Sequence, residues 1–200
     1  SSHFASAEKE FRFPLGYGSQ RPYSATWTVT GAGAFLLNEE KGDVQIQGIT
    51  TGKIVDYGME DPMNMGACMA PAAAEVLYQH FVDFGSKPED YDAVYTGDLG
   101  EVGKKILLHL LRENGYDLSK VHGDCGIEIY ENEMQDTHSG GSGCACSAVV
   151  LASMIIPKII DGTWKKVLFV PTGALMSKTS FNEGENVAGI AHAILLEGVR

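Results

Sequence analysis

The chain has 200 residues, 44% of them hydrophobic, with a formal net charge of −11 and a pI near 4.9. That length supports one sizeable core or at most two small domains, and the acidic balance argues against nucleic acid or an anionic membrane surface as the main partner. Four irregularly spaced cysteines (Cys68, Cys125, Cys144, Cys146) without a signal peptide point to a reduced, intracellular protein, and no apolar run reaches the ~20 residues of a membrane span.

Residues 1–25 are polar, with Pro14, Gly16, Gly18 and Pro22, and read as irregular structure; the start at Ser-Ser rather than Met fits a fragment. The run 26–37, Thr-Trp-Thr-Val-Thr-Gly-Ala-Gly-Ala-Phe-Leu-Leu, reads as a buried strand with two glycines where another backbone comes close. Residues 44–56 alternate around Val44, Ile46, Ile49, Ile54 and Val55 and predict a second strand, interrupted at Gly48 and Gly52. Val76, Leu77, His80, Phe81 and Phe84 predict a helix over 72–84 that stops at Gly85. A strand over 91–96, a turn at 97–100 and an amphipathic helix over 101–114 follow, then a strand over 126–130. After the loop and helix at 136–160 come a continuously apolar strand at 166–171, a polar loop from 172 to 187 and a last strand over 188–196. The order from residue 44, β-α-β-α-β-α-β-β, predicts a mixed sheet with helices on its faces.

The stretch 136–160 is the best site candidate. Gly140, Gly141, Ser142 and Gly143 open into a run whose only polar side chains from Ala145 to Ile156 are Cys146, Ser147 and Ser153. A helix over 143–156 with so little polar surface belongs between layers, almost wholly buried, and Pro157 should end or kink it. Its start would leave backbone N–H groups next to His138 and Ser139, a combination that attracts anions. A glycine loop that merely makes a tight turn explains the same spacing. Cys144 and Cys146 with His122, Cys125 and His138 match no common zinc spacing, and His192 reads as a core histidine on an apolar strand. The run 30–39, Thr-Gly-Ala-Gly-Ala-Phe-Leu-Leu-Asn-Glu, is echoed by 188–197, Ala-Gly-Ile-Ala-His-Ala-Ile-Leu-Leu-Glu, which suggests two related half-domains.

A duplicated unit of this order with a buried central helix is similar to the thiolase fold. Closer still, Ser1-Ser2-His3-Phe4, Phe11-Arg12-Phe13-Pro14, Thr26 to Ala34, Met63-Asn64-Met65-Gly66, His138 to Ser147 and Phe169 to Leu175 together resemble the stage V sporulation protein AD family. The resemblance implies a non-enzymatic, thiolase-like half-domain protein of endospore formers, with 1–40 the end of an amino-terminal half and 41–200 the carboxy-terminal half. It implies dipicolinic acid as ligand, free or as its calcium chelate, and other stage V sporulation A membrane proteins as partners. No nucleic acid, metal or cofactor is implied, a homodimer is allowed, and the location is the forespore or spore, peripheral on the inner spore membrane. The ligand-binding set expected is His138, Ser139, Thr172, Gly173, Cys144 and Thr96. In related ketosynthases a histidine follows the second strand of the second half, where this chain has Tyr95-Thr96-Gly97-Asp98. The alternative is an acyl-transferring thiolase- or ketosynthase-like enzyme whose nucleophile lies in an amino-terminal half outside this chain.

Overall fold

The structure, a computed structural model, describes residues 2–3, 22–40 and 42–199. Most of the irregular stretch expected over 1–25 therefore lies outside the described residues. Five strands build the main sheet: β4 (Val44–Thr50), β5 (Ala93–Thr96), β6 (His122–Asp124), β8 (Lys166–Val170) and β11 (Ala193–Gly198), in the order β4-β11-β8-β5-β6. β5, β6 and β8 run parallel, and β11 is antiparallel to both its neighbours. This is the mixed sheet expected of a thiolase-like half-domain.

Alternation along the strands divides the core into two layers. Val94 and Leu168 face one cluster, packed under α1 (Met65–Phe84) and α2 (Gly100–Glu113). Ala93, Tyr95, Val167 and Phe169 face the other, shared with Cys146, Val150, Ile155 and Ile159 of the central helix. α1 and α2 approach closely because two glycines meet. A Cβ on Gly66 would stand 2.3 Å from Leu99 O, and one on Gly103 2.9 Å from Gly66 Cα.

Several expected elements change in extent. The first helix begins at Met65, seven residues before the expected start, because Asn64 caps it by accepting from Ala67 N–H. Pro71 lies inside it; burial of every residue from Met65 to Ala74 outweighs the proline's cost. The strand expected over 126–130 is instead β6 followed by a short helix, α3 (Cys125–Glu128). Asp124 turns the chain there by accepting from Gly126 N–H. A further short helix, α4 (Asn132–Gln135), precedes the glycine loop.

The long strand expected over 26–37 is two short ones, β2 (Trp27–Thr28) and β3 (Gly31–Ala32). β3 pairs antiparallel with β1 (Ser2–His3), and β2 pairs parallel with β7 (Gly141–Ser142). Beyond Ala32 no strand among the described residues pairs with the chain, so Leu36 and Leu37 are 92% and 76% exposed rather than buried.

The central helix also departs from expectation. It runs as α5 (Cys146–Val150), a π-helical turn (Leu151–Ile155) and α6 (Ile156–Ile160). Pro157 does not end it. The π-turn offsets the hydrogen-bond ladder by one residue, with Ile156 N–H reaching Leu151 O, so Pro157 stands in the first turn of α6, where no N–H is needed. Nor is the helix almost wholly buried: one side packs on the sheet, while Ala152 and Ser153 are exposed and Leu151, Met154 and Ile156 half-buried. That outer side, residues 34–37 and the outer strand β4 enclose an apolar groove of about 580 Å³.

The last expected strand is divided at His192 into β10 (Ala188–Ala191) and β11. β10 turns away from the main sheet to pair with β9 (Thr172–Leu175), and α7 (Lys178–Asn182) lies between them. The expected loop 172–187 thus holds a strand and a helix. Its polar sequence concealed them because the hairpin packs on α1 and adds only a few small side chains, Ala174 and Ala191 among them, to the core. His192 is exposed, not a core residue; its Nδ1 accepts from Gly52 N–H at 3.1 Å. The division at His192 lets the chain leave one sheet for the other. Among the residues whose burial is described, the buried histidines are His80 and His122.

Candidate functional site

Parallel strands aim their carboxyl ends at one edge of the sheet, where the following turns and helix starts collect. Here β5 and β6 end in related turns, Gly97-Asp98-Leu99-Gly100 and Gly123-Asp124-Cys125-Gly126. Each places a buried aspartate at the edge.

Asp124 organises the helix starts. Its Oδ2 accepts from Thr96 Oγ1 at 2.6 Å and Leu99 N–H at 2.9 Å; its Oδ1 accepts from Gly100 N–H at 3.0 Å and Gly126 N–H at 3.1 Å. Burial outweighs these four donors, and with the nearby Asp98 charge it raises the Asp124 pKa to about 6. Thr96 Oγ1 gives its proton to Asp124, so it accepts from His122 Nε2 at 3.0 Å, which leaves Nδ1 as the unprotonated nitrogen. That atom is buried without a hydrogen-bond partner. Burial, followed by the Lys104 charge, lowers the His122 pKa to about 3.

Asp98 organises the loops. Its Oδ2 accepts from Ser142 Oγ at 2.7 Å and from Gly143 N–H at 3.0 Å. Its Oδ1 accepts from Thr172 Oγ1 at 3.2 Å, and Thr172 Oγ1 in turn accepts from Asp98 N–H at 3.2 Å. One carboxylate thus joins the glycine loop of 140–143 to the head of β9.

The expected site residues divide between this network and the surface. Thr96 and Thr172 lie within it, and Gly173 follows Thr172 on β9. Ser139 caps α2: its carbonyl accepts from Glu101 N–H at 2.9 Å and its Oγ from Val102 N–H at 3.2 Å. Gly100, at φ 64°, has room for no side chain there, since a Cβ would stand 2.3 Å from Ser139 O. The His138 ring turns elsewhere. Its Nδ1 lies 3.0 Å from Pro22 O, to which it donates, and its Nε2 lies 3.4 Å from Asp136 Oδ1. Cys144 is exposed, whereas Cys125 and Cys146 are buried, and burial raises the Cys125 thiol well above its ordinary pKa. At the start of the central helix Gly143 N–H is held by Asp98 and Cys146 N–H by Gly143 O.

Asp98, Asp124, His122 and Ser142 are the network members absent from the expected set. The repeated Gly-Asp-x-Gly, just after β5 and across the end of β6, was the signal that could have found both aspartates. Reading 95–98 for the histidine it lacks passes over the acid it contains.

A model of the family described as Stage V sporulation protein AD (SpoVAD) matches residues 1–197. The chain belongs to this family. It is 47% identical over 197 residues to stage V sporulation protein AD of Bacillus subtilis (strain 168), which covers 98% of this chain and 58% of that protein. The chain therefore spans little more than half the length of that relative. Among solved structures it is similar to a tetronic acid condensing enzyme, AbyA1, at 14% identity and TM-score 0.48, covering 81% of this chain and 50% of that one. It is also similar to 3-oxoacyl-[acyl-carrier-protein] synthase III from Aquifex aeolicus VF5, at 15% identity and TM-score 0.43, covering 80% and 46%. Among the described residues of this family member no helix is long and apolar enough to cross a membrane.

Proposed function

We propose that this sporulation-family chain is part of a non-catalytic protein that binds dipicolinic acid, free or as its calcium chelate, and assists its uptake into and release from the bacterial endospore. The observation that carries the reading is the seat of Asp98. Ser142 Oγ, Gly143 N–H and Thr172 Oγ1 converge on one carboxylate between the loop and the strand expected to form the two walls of the site. Directed hydroxyl and amide donors in an acidic chain are what a planar dicarboxylate requires. The same residue argues against acyl transfer. Where a ketosynthase-like site would present an imidazole, this chain presents a buried carboxylate that accepts hydrogen bonds from its own loops.

The internal echo supports a second half outside residues 1–200. The counterpart of residues 34–39 is β11, which has a strand on each side, whereas 34–37 expose their apolar side chains beside the groove. In this reading 1–40 end an amino-terminal half and 41–200 form the carboxy-terminal half. His138, Cys144, Thr172 and Gly173 then lie towards the rim and Thr96 and Ser139 deeper in. The protein works at the inner spore membrane as a peripheral component, with other stage V sporulation A membrane proteins as its partners.

Calorimetric titration of dipicolinate into the full-length protein and into residues 1–200 tests the reading. The full-length protein should bind and the 200-residue chain should bind poorly. In this reading the ligand draws the His138 ring away from Pro22 O, so His138→Ala in the full-length protein should weaken binding by about ten- to a hundredfold, the worth of a charge-assisted hydrogen bond. Absence of binding by the full-length protein, or release of coenzyme A from an acyl-coenzyme A donor, would overturn it.

A further inference from the structure

We infer that Ser142 Oγ, Gly143 N–H and Thr172 Oγ1 form a carboxylate-recognition seat that Asp98 fills from within, as an internal substitute for a ligand carboxylate. This rests on the dicarboxylate reading above and names the donors that make the recognition. Two hydroxyls and one amide, from two segments distant in sequence, point at one pair of oxygens at 2.7–3.2 Å. Ser142 is buried, so its hydroxyl has no ready exchange with water, while Thr172 and Gly173 are half-exposed and give the seat a way in from solvent. The three donors exclude a cation, and their division between two oxygens of one group suits a carboxylate.

The consequence is competition. A ligand carboxylate gains these donors only when the Asp98 side chain swings out, and the seat closes again when the ligand leaves. Asp98 is thus an autoinhibitory contact that lowers affinity while keeping both loops in register.

Formate is the probe for the seat and dipicolinate for the reading, both with the full-length protein. Removing the internal carboxylate in Asp98→Ala should let tens of millimolar formate raise the Tm by several degrees, with the wild type unmoved. Dipicolinate should bind that variant about tenfold more tightly than wild type, equivalent to ~1.4 kcal/mol. If Asp98→Ala does not fold, Asp98→Asn keeps the side-chain volume while its amide NH2 opposes one donor. It should bind dipicolinate more tightly than wild type, with faster exchange of the Gly143 amide. Weaker dipicolinate binding in either variant would overturn the inference, as would absence of formate stabilisation in a folded Asp98→Ala protein. Formate stabilisation with no dipicolinate binding to wild type or variant would keep the seat and remove dipicolinate. Equal dipicolinate binding to wild type and variant, with no formate effect, would do the reverse.

Discussion

His80 is sealed between the main sheet and α1. Its Nδ1 lies 2.8 Å from Thr50 Oγ1, its Nε2 lies 3.0 Å from Tyr91 Oη, and its ring stacks on Phe84 at 4.3 Å. Burial and then the Lys166 charge lower its pKa from 6.5 to about 4. Between those two values the unfolded chain takes up a proton that the folded chain refuses, so this residue's contribution to stability is present above about pH 6.5 and is lost as pH falls towards 4. Asp124 works in the opposite direction in part of that window, because its raised pKa lets the folded state bind a proton first as pH falls below about 6. The test is therefore a difference. Thermal unfolding at pH 7 and pH 5 should show a smaller pH-dependent loss in His80→Gln than in wild type, and an equal loss would exclude His80 as the source. His80 was visible in the sequence only as one position of an apolar helical stripe. Whether a histidine in such a stripe is buried depends on Thr50 and Tyr91, which other elements bring to it. The same holds for His192, whose strand pattern read as core although the chain changes sheets at that residue.

Elements were legible where their periodicity was long and their stop signals strong. α2 was found almost residue for residue because its apolar stripe spans four turns and ends before Gly115. Short elements were not: β6 and α3 together cover seven residues, and the Asp124 cap that separates them is a tertiary feature. Proline misled at Pro157, where a π-turn removed the usual penalty. The packing of α1 on α2 yields a prediction of definite sign. Gly66→Ala would gain up to about 1 kcal/mol of helix propensity, but its Cβ would stand 2.3 Å from Leu99 O on the opposing helix. Overpacking of this kind costs ~1–3 kcal/mol, and the obstacle is backbone, which cannot rotate away. Urea unfolding should show net destabilisation; a more stable variant would mean that the two helices can part at little cost.

On the scale of the whole molecule, the carboxy-terminal sheet and its helices were readable because alternation and order suffice to specify a mixed sheet. The exposed outer side of the central helix was not readable, because an all-round apolar sequence says that a helix is covered and not by which residues. Among the described residues that side lies open beside Leu36 and Leu37, with Ile46 46% exposed on the adjoining strand. The 200-residue chain should therefore bind the dye ANS and self-associate at micromolar concentration, and the full-length protein should do neither; equal dye binding by the two would remove the second half from this surface. The pairing of β2 with β7 has a consequence in time. The loop bearing Ser142 and Gly143 is fastened to the far end of the chain by the Trp27 and Thr28 pairing, and the His138 bond to Pro22 spans 116 residues. Closing so large a loop is among the slow steps of folding, so the helices and the Ala93–Val170 strand pairs should assemble first and the Asp98 region last. During refolding of the full-length protein, far-ultraviolet circular dichroism should recover before the tryptophan fluorescence change contributed by Trp27, and Trp27→Phe should remove that later phase. A newly made chain would thus pass through an interval in which its scaffold is complete and the network around Asp98 is not.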